Sequence, residues 1–155
     1  MGVTDGSNAP PGAVGEFLTT GSQTANFVTT NGAPPMIGNA PQSTRVATMT
    51  LPAGDWAVSA GIDMYQMSGP ALIGDTYWQV YLGPLRNNFA DSDSDVDIAW
   101  FLWHIPGSNQ IEFSMGVIRI SSASPTTVIL QCQVDGQPYG TPHQAGGIIR
   151  ARRVR

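Results

Sequence analysis

QSTRVATMTLPAGDWAVSAGIDMYQM, residues 42–67, reads as two β-strands joined by a tight turn. In the first arm Ala47, Met49 and Leu51 alternate with Thr48 and Thr50. In the second, Trp56, Val58, Ala60, Ile62 and Met64 alternate with Ala57, Ser59, Gly61 and Asp63. Successive strand side chains point to opposite faces, so each arm carries one apolar face and one small or polar face. Pro52, Gly54 and Asp55 supply a fixed φ, a permissive φ and a local backbone acceptor. The pair is expected to be a hairpin, and its apolar face requires a covering layer.

Downstream of this pair, the same alternation recurs. A strand is expected at 76–82, where Trp78, Val80 and Leu82 alternate with Tyr77, Gln79 and Tyr81, until Gly83 and Pro84 end it. Residues 98–105, IAWFLWHI, are apolar at both parities, which suits a strand buried on both sides, within a core or against another subunit. After the turn Pro106-Gly107-Ser108-Asn109, alternation resumes from Ile111, and its parity slips at Val117-Ile118 as a β-bulge would make it. Residues 126–134 alternate cleanly, Asp135-Gly136 reads as a turn, and residues 146–155 form a last strand. Upstream, a short strand with Phe17 is expected within 14–20, followed by a Gly-, Pro- and Asn-rich loop after Val28. No window carries helical periodicity. Eight or nine short strands punctuated by Gly and Pro specify an all-β chain, an antiparallel β-sandwich or jelly roll.

The chain has 155 residues, enough for one sizeable core. Residues 1–15 are expected to be an extended arm and 16–155 the sandwich, because MGVTDGSNAPPGA has no periodicity. Charged residues make up 12%, about half the roughly 25% of ordinary soluble domains. So few charges point to subunits that cover one another, and a homotrimer is the expectation. Arg150, Arg152, Arg153 and Arg155 crowd the last six positions, leaving three Arg against eleven acids elsewhere. This terminus, with Trp100, Phe101 and Trp103, is expected at a subunit or shell interface. Phosphate binding by the same arginines is the competing reading. The acidic chain and the lack of interleaved aromatics argue against it, so no nucleic-acid partner is expected.

Chemistry-bearing constellations are few. Asp91, Asp93, Asp95 and Asp97 begin like a calcium loop, but Val96 stands where the turn glycine belongs and Leu102 where the bidentate Glu belongs. They are weak calcium candidates; a solvated acidic loop, or a partner for the Arg terminus, explains them better. His104 lies in the apolar run and His143 in a Pro/Gly loop, and Glu16 and Glu112 are the only glutamates. No nucleophile elbow, zinc motif or phosphate-cradling loop is present, so no catalytic residue and no cofactor is expected. The lone Cys132 shares its parity with Val128, Leu130 and Val134 and should be a core thiol. Trp56, Trp78, Trp100, Trp103 and the four Tyr could stack sugars, although core packing accounts for the strand tryptophans. Residues 1–15 lack a basic start and an apolar run, and 98–105 is far short of the ~20 residues of a membrane helix. Neither secretion nor membrane insertion is expected.

Three stretches carry a resemblance: PPGAVGEFLTT (10–20), TLPAGDWAVSA (50–60) and GGIIRARRVR (146–155). Together they resemble small bacteriophage virion surface proteins of the head-fibre, decoration or tail-fibre type. The LPAGDW turn is also similar to that of trimeric C1q and tumour-necrosis-factor jelly rolls. The resemblance implies a non-enzymatic homotrimer made in the host cytoplasm and carried on the virion, docked on capsid or tail proteins through an N-terminal arm containing Pro10, Pro11 and Val14. It leaves residues 68–147 unmatched, and with them any host receptor. A carbohydrate-binding tail-fibre module is the alternative, and a glycan-cleaving enzyme a distant third.

Overall fold

The computed structural model describes residues 15–29, 44–84, 99–104, 110–138 and 140–154; for 73–77, 79 and 99–104 it describes the backbone only. The arm residues Pro10, Pro11 and Val14, the acidic run Asp91, Asp93, Asp95 and Asp97, and Arg155 lie outside the described residues.

Among the described residues nine strands follow one another: β1 (Phe17–Thr19), β2 (Gln23–Val28), β3 (Thr44–Leu51), β4 (Gly54–Gln66), β5 (Ile73–Pro84), β6 (Ala99–His104), β7 (Gln110–Ser122), β8 (Thr126–Gln137) and β9 (Pro142–Arg153). All pairings are antiparallel. One sheet runs β1-β9-β4-β7 with β2 also on β9, and the other runs β3-β8-β5-β6. β1 and β2 occupy successive stretches of the same β9 edge, Phe17 opposite Arg152 and Gln23 opposite Gly147. They act as one edge strand broken at Gly21, whose φ of +70° suits glycine. Counted so, two four-stranded antiparallel sheets interleave as an eight-stranded jelly roll, as the alternation pattern implies.

The expected hairpin at 42–67 is two strands, but not a hairpin. β3 pairs with β8, while β4 pairs with β7 and β9 in the opposite sheet. The Pro52-Ala53 connection is an arch between layers. Alternation reports which face is buried, not which neighbour is hydrogen-bonded, and both arms satisfy it by facing each other across the core. That core joins Leu51, Trp56, Val58, Met64, Trp78, Leu82, Leu130 and Ile149, all essentially inaccessible. Cys132 is buried among them, and burial pushes its thiol far above the usual range.

Other boundaries also move. The parity slip in β7 is a bulge: Val58 faces Ile118 and Ala60 faces Met115, leaving Gly116 and Val117 against Ser59 alone. Val117 is 71% exposed there. Asp135-Gly136 lies within β8, and the chain turns after Gln137 instead. Asp135 is buried, and its carboxylate accepts from Gln133 Nε2 at 2.8 Å, which is how an acid is tolerated in the strand. β9 begins at Pro142, so His143 belongs to a strand rather than a loop.

Candidate functional site

The three stretches that carry the virion resemblance meet at one corner. The arch at 52–53 exposes carbonyls that cannot pair within a sheet. Trp56 Nε1 donates to the Pro52 carbonyl at 2.9 Å, and Arg153 Nη1 donates to the Ala53 carbonyl at 2.9 Å. The Arg153 guanidinium lies 4.5 Å over the Trp56 ring, and its Nε donates to Glu16 at 3.3 Å. Its backbone N–H donates to the Glu16 carbonyl at 2.8 Å. Arg153 is only 3% exposed. Gly54, with φ +145°, leaves the space that the guanidinium fills. Of the arginines expected at an interface, Arg153 is therefore spent inside its own chain.

Arg150 and Arg152 point the other way. β9 turns His143, Ala145, Gly147, Ile149, Ala151 and Arg153 inward, so the even-numbered positions form the outer face of its sheet. On that face Arg152 lies opposite Phe17 and Ala57, and Arg150 opposite Thr19 and Ser59. Among the described residues neither arginine has an ion-pair partner. Arg119 on β7 is paired with Asp55, its Nε 2.7 Å from Oδ1. Four residues further along β9, Gly146 faces Asp63, and Asp63 faces Glu112. Asp63 accepts from Gln110 Nε2 at 3.2 Å. Between the basic and acidic ends lies a trough of about 360 Å³, floored by Gly61 and Gly146 and flanked by Ile148 and Ser114.

His143, expected in a loop, is sealed between the sheets. Its ring stacks on Phe27 at 5.5 Å and meets the edge of Trp78 at 5.6 Å. Nδ1 lies 2.8 Å from the Thr141 carbonyl, an acceptor only, so Nδ1 carries the proton. Burial lowers its pKa, and the Thr141 hydrogen bond opposes that in part. The folded state holds His143 neutral while the unfolded chain protonates near pH ~6.5. Its contribution is thus complete above ~6.5 and is lost as pH falls towards the lower folded pKa. The melting temperature should decline between pH 7 and 5, and His143→Gln, though less stable throughout, should show a flatter profile across that window. An equal decline in both proteins would assign the acid sensitivity elsewhere.

Of the aromatic candidates, Trp56 and Trp78 are buried, Tyr81 is buried with its hydroxyl donating to the Pro84 carbonyl at 3.0 Å, and Tyr65 is half-buried with its hydroxyl donating to Gln144 Oε1. Trp100, Phe101, Trp103 and His104 are fixed only as backbone of β6, the edge strand beside β5. Among the described residues, no three His, Cys, Asp or Glu side chains are grouped to hold a metal.

No family model matches the chain, and no curated protein matches it. Solved structures match it in fold. A chain of the VP2 subviral particle of infectious bursal disease virus aligns at TM-score 0.53 and 10% identity, over 89% of this chain and 32% of that one. A chain of the T13 viral particle of the same virus gives 0.54 at 10% identity, over 99% and 35%. The Gx strain structure gives 0.50 at 13% identity, over 99% and 36%. The chain spans about a third of the length of the solved chains it matches.

Proposed function

We propose that the chain is a self-associating, non-enzymatic structural protein of a virus particle. The observation that carries this is the fold likeness to chains of viral particles over essentially the whole chain. Two features support it. Charge is scarce, and β6 is an edge strand whose sequence is apolar at both parities. An edge of that kind, with no further strand on it among the described residues, invites pairing with another chain unless something covers it. In the finer reading the protein sits on a bacteriophage surface as a head-fibre, decoration or tail-fibre component, trimeric through β6. Residues 1–15 form its docking arm and 16–155 its exposed sandwich. Partners are other copies of itself and neighbouring virion proteins, and burial of Trp56, Trp78 and Tyr81 disfavours the glycan-binding alternative.

Antibody labelling of purified particles tests the assignment directly. Label on the particle surface is the expected result. Particles that carry no label, from cells in which the chain is abundant, would refute it.

A further inference from the structure

We infer that the outer face of the β1-β9-β4-β7 sheet is a self-complementary interface that binds the same face of a second copy across a twofold axis. The face is charged at both ends and bare in the middle. Arg150 and Arg152 mark one end; Asp63 and Glu112 mark the other. Asp63 and Glu112 stand directly opposite each other on neighbouring strands, an arrangement that repels, with no cation beside them among the described residues. Two positive and two negative side chains that have no ion pair among the described residues therefore share one surface.

The centre of the face is equally particular. Gly61 and Gly146 sit in strand interiors without positive φ, where glycine weakens a strand and often marks close approach of another backbone. A Cβ at Gly146 would touch nothing within 4 Å, and one at Gly61 would make only ordinary contact with Ile148. Among the described residues, nothing requires either glycine.

A twofold axis lying in the face, perpendicular to the strands and through the Ile148–Gly61 row, satisfies all of these features. Arg150 and Gly146 lie two residues on either side of Ile148, about 7 Å each way at strand spacing. Rotation about that axis places Arg150 of one copy over Gly146 of the other, beside Asp63, where the missing side chain leaves room. Arg152 falls beyond it on the acidic end, and Ile148 meets its own counterpart at the centre. Each residue contact then occurs twice, as in any isologous interface. Four strands at ~4.8 Å and about twelve residues of length give a face of roughly 19 by 40 Å, close to the ~800 Å² a side of a standard interface. The inference does not depend on the virion reading.

Charge exchange tests it. Light scattering of the full chain at low salt should show a mass that halves in Asp63→Arg/Glu112→Arg and halves in Arg150→Glu/Arg152→Glu. Mixing the two variants should restore the parental mass, because one face is then wholly basic and the other wholly acidic. Each double variant should weaken self-association about tenfold or more, and high salt should weaken the parent likewise. If either reversal prevents folding, the neutral pairs Asp63→Asn/Glu112→Gln and Arg150→Gln/Arg152→Gln should each show weakened association and lose its salt dependence. Loss of association in the arginine variant alone would mean that the arginines bind another surface and would overturn the inference. So would unchanged association in both variants, or failure to recover on mixing. A chain that pairs in this way yet is missing from particles would refute only the virion role; a particle protein indifferent to these changes would refute only the interface.

Discussion

Arg153→Ala should destabilise the fold by about 3 kcal/mol and lower the melting temperature by roughly 10 °C. Removing one partner of a buried pair typically costs about 3–5 kcal/mol, because the other charge is left without compensation. Glu16 retains some contact with water, its side chain being 17% exposed, which places the loss at the lower end. The variant also loses the cation–π contact with Trp56, worth ~2 kcal/mol when desolvated, and leaves the Ala53 carbonyl without its donor. Arg153→Lys should recover only part, since an ammonium cannot lie flat on the indole while bonding Ala53 and Glu16 together. Glu16→Gln keeps an acceptor but leaves the buried guanidinium without its counter-charge, so it should cost less than Arg153→Ala, about 1–3 kcal/mol. Thermal unfolding of the three proteins gives the comparison. A melting temperature for Arg153→Ala within a degree or two of the parent would show that the corner does not hold the sheets.

Gly147→Ala should cost about 1–3 kcal/mol, while Gly146→Ala, one residue away, should be neutral or slightly stabilising in the isolated chain. A Cβ on Gly147 would lie 2.7 Å from Leu130 Cδ2 and 2.8 Å from Val46 Cγ1, across the sandwich on β8 and β3. Both neighbours are themselves buried, so the added methyl can be accommodated only by moving one sheet against the other. At Gly146 the methyl enters open space and removes backbone freedom from the unfolded chain. Because the two residues share composition and context, the difference in their denaturant midpoints isolates the inward contact. Equal midpoints would mean that the layers have slack at this point. The Gly146 variant should still self-associate less well, since the added side chain occupies the position assigned to Arg150 of the second copy.

The contrast between these glycines shows how far the sequence could be read. Alternation locates β3 to β5, β7, β8 and even the bulge, and β6 shows instead as a continuous apolar run. Burial on one face is a period-two property of the residues themselves. Pairing is not. Nothing in TLPAGDW distinguishes a hairpin within one sheet from an arch between two, since both bury Leu51 and Trp56. β2 escapes the pattern because it lies at an edge and offers only Ala25 and Phe27 to the core. Around His143, Pro142 and the two glycines resemble turn residues. Pro142 instead starts a strand, Gly147 serves close inter-sheet contact and Gly146 faces outward. Arg153 resembles its charged neighbours, yet it shares parity with Ile149 and Ala151, whereas Arg150 and Arg152 share parity with Ile148. Parity was the available signal, and charge obscured it. The opposed face at Asp63 and Glu112 could not have been found this way, since cross-strand neighbours 49 residues apart need the register between β4 and β7.

The Arg153 corner also decides how the protein meets a pulling force. β1 and β9 lie side by side and antiparallel, so Gly15 and Val154 leave the described fold next to each other. Tension applied between those two ends would open the β1–β9 pairing one hydrogen bond at a time, like a zipper, starting at the Glu16–Arg153 contact. Tension along the strands, between the Val154 end of β9 and the Gln110 end of β7, would instead load many bonds of β9, β4 and β7 together, in shear. The fold therefore has one strong pulling direction and one weak one, with the guanidinium clasp as the catch that keeps the weak one shut.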